Sequence, residues 1–391
     1  AMNGSTLFFC AATEISNFLE DLRVKQRFPG IVLLCGALAI CIAPSALSQS
    51  WVLGPFHRPV RTPVVSPNPH ALFVAPVTGN AVHWEYAHTF NPAATLRDGK
   101  VVLLYRAEDN TGKEEIGQHT SRLGLAQSSD GIHFTPQPKP VFYPADDAQR
   151  SREFPGGTED PRLVQTDDGT YVLTYTQWNR KQYTVGIATS KDLVHWTKYG
   201  PAFADAAHGK YRNLRYKSAG ILTRLDHGRL VAARLHGKYW MYWGEITIRL
   251  ATSPDLIHWT PVEDASGEPS VLLARRPGLF DSEFPEVGPP PVLTSHGIVV
   301  FYNGKNALHG GDPSIGPGAY SAGQALFSAK DPTHLLARIR HPYLKPELPF
   351  EKTGQYVQGT VFTEGLVFFQ HDWFLYYGAA DSYVGVAEWK P

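Results

Sequence analysis

The chain has 391 residues, 43% hydrophobic and 18% charged, a balance that supports a folded core and excludes general disorder. Its 36 Lys and Arg offset 36 Asp and Glu, so no net field draws it toward nucleic acid or an anionic membrane surface. The 9 Trp, 18 Tyr and 20 Phe, with 35 Gly and 31 Pro, instead suggest short strands, many turns and flat ring surfaces suited to sugars.

At the N-terminus, Arg23, Lys25 and Arg27 precede an apolar run from Ile31 to Ala43, too short for a straight membrane-spanning helix and the right length for a signal h-region. Ala46 and Ser48 suit a peptidase that cuts before Gln49. Residues 1–48 are therefore expected to act as an export signal, which would place the mature protein in the periplasm or outside the cell. The alternative is a retained hydrophobic extension on a cytoplasmic protein, and any membrane contact is then confined to that segment. Cys10, Cys35 and Cys41 all fall within it, so nothing after Cys41 can form a disulfide, a thiolate metal site or a cysteine nucleophile.

From residue 49 onward, strand-like runs bounded by Gly, Pro, Asp and Ser replace any long helical pattern. Residues 51–85 are expected to supply part of a closing unit or a cap. Next comes EYAHTFNPAA (85–94), then LLYRAEDN (103–110), where Asn91, Arg106, Glu108 and Asp109 bring polar groups to the end of an apolar strand. They form either a solvated turn or a sugar-binding rim. RLGLAQSSDGIHFTPQPKPVF (122–142) opens a repeat.

In FPGGTEDPRLV (154–164), Gly156 and Gly157 permit a close backbone approach, and Pro161 is expected to hold Asp160 extended. This would set the Asp160 carboxylate and the Arg162 guanidinium at the mouth of a channel, unless the Asp-Pro turn is purely structural. TVGIATSKDLVHWTKYGPAF (184–203) is the second copy of the repeat. YRNLRYKSAGIL (211–222) clusters Arg212, Arg215 and Lys217, which could bind phosphate, position a carboxylate or face solvent. Glu245 then follows Trp243 and Gly244, and the third copy runs TIRLATSPDLIHWTPVEDASG (247–267). LFDSEFPEVGPPPVLT (279–294) places Glu283 and Glu286 before a triple proline that would fix the loop. GIVVFYNG brings Tyr302, a further candidate for substrate binding. A looser copy (321–344) and YYGAADSYVGVAE, which carries Asp381, complete the chain.

Phe134, Trp196 and Trp259 are equivalent in the three clear copies, at spacings of 62 and 63 residues. With five inner-strand groups in residues 49–391, the expected fold is all-β, a five-bladed β-propeller whose blades bury their apolar faces only by stacking in a ring. The Ser-x-Asp-x-x-His corners read as turn devices, so His133, His195 and His258 are expected to be structural.

Several carboxylates among Trp and Tyr fit glycosidic chemistry: an acid helps the glycosidic oxygen depart and a carboxylate activates water from the other face. No H-E-x-x-H, Walker loop, dinucleotide fingerprint or G-x-S-x-G elbow is present, and no cofactor or metal is expected. A carbohydrate-binding propeller without catalysis would explain the aromatics but not so many converging acids.

The strings NPAA (91–94), LLYRAED (103–109), TEDPRL (158–163), KSAGIL (217–222), GPPPV (288–292) and YYGAAD (376–381), in this order, resemble glycoside hydrolase family 130, the mannoside phosphorylases and mannosidases built on five-bladed propellers. The resemblance implies Asp160 as general acid, its proton passing through a hydroxyl of the bound mannoside. It also implies Asn91, Arg106, Asp109 and Asp381 as groups that hold the non-reducing mannose. Phosphorylase members carry a His-Arg pair for phosphate where this chain reads KYWMYWGE. Glu245 and Glu286 match two glutamates of the β-1,2-mannosidase branch, although Lys217 remains from the phosphorylase-like pattern. What this implies is an inverting hydrolase of β-1,2-linked mannobiose, manno-oligosaccharides or mannan ends, with a phosphate-dependent phosphorylase as the alternative.

Overall fold

The computed structural model describes residues 51–391; the expected signal segment, with Cys10, Cys35 and Cys41, lies outside the described residues. Among the described residues the helical elements are a four-residue α-helix, Arg150–Glu153, and the short 3-10 turns Ala206–Gly209 and Pro349–Glu351; the other elements are β-strands. The fold is all-β.

Its unit is an antiparallel meander. His88–Arg97, Lys100–Glu108 and Ser121–Ser128 pair in sequence, and so do Gly157–Gln165, Tyr171–Trp178, Tyr183–Ser190 and Trp196–Pro201. Ala219–Ile221, Lys238–Trp243 and Ile248–Ser253 repeat the pattern, as do Gly297–Lys305 with Tyr320–Phe327, and Val361–Phe369 with Asp372–Ala379 and Tyr383–Trp389. Middle strands such as KVVLLYRAE and YVLTYTQW are buried along almost their whole length. Both of their faces are covered, which explains continuous apolar runs where a half-solvated sheet would alternate.

The repeated corner folds as its residue types dictate. Ser128 Oγ accepts the Gly131 amide at 2.9 Å while Asp130 accepts the His133 amide at 2.8 Å, and the same bonds recur at Ser190 with Asp192 and at Ser253 with Asp255. His133, His195 and His258 are exposed, each 2.6 to 2.8 Å from its own aspartate. The aromatic that follows packs inward: Phe134 meets Tyr376 edge-on at 5.6 Å, Trp196 meets Phe142 at 5.6 Å, and Trp259 is 1% exposed.

The two ends of the described chain meet. Val65 bridges Val384 and His57 bridges Glu388, so N-terminal residues extend the last sheet, as expected for a closing segment. Arg58 reinforces the junction by donating to Glu351 at 2.6 Å.

Three inner strands carry a register shift at matching positions, at Asn91, at Asp160-Pro161 and at Glu364. A bulge removes a residue from the ladder and re-aims its side chain. Asn91 and Asp160 both adopt a φ of 47°, so Asp160 is left-handed and not extended as its proline neighbour suggests. The bulge overrides the local preference, and Asn and Asp tolerate this region best among residues with a Cβ.

Candidate active site

The bulged ends of these strands surround a cavity of about 440 Å³ whose wall includes Asn91, Arg106, Glu159, Asp160, Lys217, Glu245, Glu286 and Asp381. Its size suits a small ligand.

Arg106 organises one side. It donates to Asp160 at 3.1 Å, to Glu108 at 2.5 Å and to Ser121 at 3.1 Å, and lies 2.9 Å from Glu159, with its guanidinium over the Phe90 ring at 4.5 Å. The Asn91 amide adds a 2.8 Å bond to Asp160. Burial opposes the charge on Asp160, but Arg106, Lys217 and Arg162 together with the Asn91 bond hold its pKa at about 2. Glu159 and Asp381 go the other way. Burial outweighs their attraction to Arg106 and pushes each up to about 7, with Asp160 and Glu108 adding repulsion.

Lys217 organises the opposite side, lying 3.6 Å from Glu245 and 3.5 Å from Glu286. Ser218, at a φ of 59°, donates to Glu286 at 2.6 Å. Burial and the neighbouring Glu245 raise the Glu286 pKa, and Lys217 limits the rise. Phe90, Trp178, Tyr183, Tyr320, Tyr356 and Phe362 supply aromatic wall between the two charged sides. Trp178 approaches so closely that a Cβ on Gly156 would sit 2.2 Å from its ring, and Trp178 Nε1 donates to Gly117 O at 3.1 Å.

The profile of glycoside hydrolase family 130, described as beta-1,4-mannooligosaccharide phosphorylase, matches residues 58–391. The chain belongs to glycoside hydrolase family 130. A 1,2-beta-oligomannan phosphorylase from Thermoanaerobacter sp. (strain X514) is 32% identical over 78% of this chain and 90% of that protein. A solved putative glycosidase from Bacteroides thetaiotaomicron VPI-5482 is 53% identical, covers 88% of this chain and 98% of its own, and superposes with a TM-score of 0.86. Another solved relative is 52% identical over 88% of this chain and 95% of its own, with a TM-score of 0.86. It was presented with the statement that the GH130 family of mannoside phosphorylases contains glycoside hydrolases that target beta-1,2 mannosidic linkages in Candida mannan.

In this family-130 chain, the structure brings Asn91, Arg106, Asp160, Lys217, Glu245, Glu286 and Asp381 to one cavity but places Asp109, Arg162, Arg215, Glu283 and Tyr302 elsewhere. Asp109 is enclosed: one oxygen accepts from Arg122 at 2.6 Å and the other from Thr111 and Thr120, so a sugar cannot compete for it. Tyr302 is fully buried behind the wall, its hydroxyl donating to Asp281 at 2.9 Å and accepting from Arg276 and Arg338. Glu283 turns to Lys305 at 3.2 Å, one strand end away from the cavity. Arg162 acts as a brace, donating to the carbonyls of Asp160, Val287 and Gly288 and lying 2.9 Å from the buried Glu364. Arg215 also faces away, donating to Lys181 O.

Glu159, Tyr183, Tyr320, Tyr356, Ser218 and Glu364 were missed. The signal for Glu159 was available, since it precedes Asp160 in the same motif and the bulge lets both side chains reach the Arg106 side. The tyrosines come from loops and strand starts without a repeat pattern, so only the folded chain brings them together.

Proposed function

We propose that this protein is an inverting glycoside hydrolase that releases mannose from the non-reducing ends of β-1,2-linked mannobiose, manno-oligosaccharides or mannan, working from the mouth of a five-bladed β-propeller. The repeated meanders and the joined chain ends support the blade count. The relatives that act on β-1,2 linkages support the substrate class.

One observation carries the choice of water over phosphate. Five carboxylates, Glu159, Asp160, Glu245, Glu286 and Asp381, face the cavity against two cations, Arg106 and Lys217. Arg106 is already shared among Asp160, Glu108 and Glu159, and Lys217 lies between Glu245 and Glu286. On the Lys217 side, an incoming phosphate dianion meets Glu245 and Glu286 already sharing the one cation there, whereas water finds two acceptors for its protons.

In the proposed reaction Glu245 and Glu286 orient and deprotonate water on the Lys217 side, while Asp160 delivers a proton to the glycosidic oxygen from the Arg106 side, directly or through a sugar hydroxyl. With Arg106, Lys217 and Arg162 around it, Asp160 is ionised at neutral pH. A sugar seated there excludes water and competes for the hydrogen bonds of Arg106 and Asn91, and both effects raise the Asp160 pKa. Glu159 and Asp381, titrating near 7, are the adjacent groups able to share a proton with it.

Incubation with β-1,2-mannobiose, with and without phosphate, followed by time-resolved proton NMR, tests this reading. Free mannose appearing first as the α-anomer, independent of phosphate, is expected. Phosphate-dependent mannose 1-phosphate would favour the phosphorylase reading, which Lys217 and the curated phosphorylase relatives support. Initial β-mannose would contradict inversion.

A further inference from the structure

Next to Arg106, outside the residues that line the cavity, His88, Glu108 and His119 converge. One ring nitrogen from each histidine and one Glu108 oxygen lie within 4.8 Å of one another. The His119 side chain is only 2% exposed, and its Nδ1 lies 3.0 Å from the Thr111 carbonyl, which can only accept. That bond places the proton on Nδ1 and leaves a lone pair on Nε2, an atom that is buried and has no hydrogen-bond partner. A buried, unpartnered acceptor is costly, and a histidine whose other nitrogen donates to a backbone carbonyl is the usual arrangement of a metal ligand. The other two members also have partners that fix their positions. His88 Nδ1 lies 2.9 Å from Ser382 Oγ, while Glu108 accepts from Arg106 at 2.5 Å and from Gln355 at 3.2 Å.

We propose that His88, Glu108 and His119 form a binding site for one divalent transition-metal ion of the zinc class. Two imidazoles and a carboxylate suit such an ion, with ligand distances of about 2.0–2.2 Å. Small side-chain rotations close the triad around it. The exposed carboxylate of Glu114, 3.7 Å from His119 Nε2, is placed to complete a tetrahedral set. The ion's role is structural: it ties the segment holding Thr111, Glu114 and His119 to the strands that carry His88 and Glu108. That segment includes Ile116 and Gly117, which form part of the sugar-cavity wall. The site thus fixes one wall of the cavity without touching the reacting atoms.

The test uses the full-length protein, stripped with EDTA and freed of chelator, titrated with Zn²⁺ by calorimetry and with Co²⁺ by visible absorption. Wild type should take up one Zn²⁺ per chain and show a Co²⁺ d–d band. His119→Gln and His88→Gln, verified as folded by circular dichroism, should each lose the band and weaken Zn²⁺ binding by on the order of 100-fold or more. Hydrogen exchange in residues 110–118 should slow on adding Zn²⁺ to wild type alone. The proposal is overturned if wild type takes up no stoichiometric Zn²⁺, or if both variants bind as tightly as wild type, since exposed histidines such as His133, His195 and His258 would then account for the uptake. Unchanged exchange in 110–118 would overturn the wall-fixing role.

Discussion

Asp160 and Glu159 are adjacent in sequence and share Arg106, yet they titrate on opposite sides of the ordinary carboxylate range. Asp160 has the Asn91 amide in addition to the guanidinium, and Glu159 has one serine hydroxyl. Asp160→Asn is expected to lower kcat on β-1,2-mannobiose by about 10²–10⁴-fold in a protein that still folds, as circular dichroism would show, and near-normal turnover would remove its role as acid. Glu245→Gln and Glu286→Gln should show losses in the same range. If only one is inactive, that residue is the base and the other an orienting group. The pH profile follows from the same groups. Activity should fall above about pH 7 as Glu159 and Asp381 lose the proton they share with Asp160. Glu159→Gln or Asp381→Asn should displace that alkaline limb, and a limb unmoved in both variants would rule out the shared proton. Much of this was legible in the sequence, because Asn91, Asp160 and Glu286 stand in short motifs with proline or glycine beside them. Asp109 and Tyr302 misled because a polar residue at a strand end looks the same whether it faces a cavity or an internal arginine.

At the level of strands, function depends on how closely neighbouring backbones approach. A Cβ on Gly378 would lie 2.0 Å from Asn91 Oδ1 and 2.9 Å from its backbone nitrogen, so Asn91 can hold Asp160 only because residue 378 has no side chain. Gly378→Ala should therefore displace the Asn91 side chain and reduce kcat/KM by about 10–100-fold while the protein remains folded, measurable by steady-state kinetics beside circular dichroism. Wild-type kinetics in a folded variant would separate Asn91 placement from catalysis. The strand pattern was readable because the repeated Ser-Asp-His-aromatic corner is a local hydrogen-bonding device, set by residues within four positions of one another. The bulges were not readable. Pro161 argues for an extended Asp160, and the opposing strand that forces the φ of 47° lies beyond any local window.

For the whole molecule, the buried acids around the site give stability a definite pH dependence. Glu85, Glu159 and Asp381 are each pushed up to about 7, chiefly by burial. An acid whose folded pKa lies above its unfolded value binds its proton more tightly when folded, so stability declines as pH rises from the ordinary carboxylate range through about 7. Asp160, held at about 2, contributes in the opposite sense, and its contribution is lost only as pH falls toward that value. The melting temperature should therefore be higher at pH 5.5 than at pH 8, and Glu159→Gln should reduce the difference. A Tm that rises over this interval, with no change in the variant, would contradict the assignment.

The joined chain ends carry a consequence for how the protein comes into being. His57 and Val65 pair with Glu388 and Val384, the first described residues with almost the last. On a ribosome these partners are separated by more than 300 residues of synthesis, so the intervening meanders can gather while the final seam stays open. The seam closes only once residues 384–388 have been made, and a chain truncated before residue 384 leaves the segment around Val65 without its bridge partner.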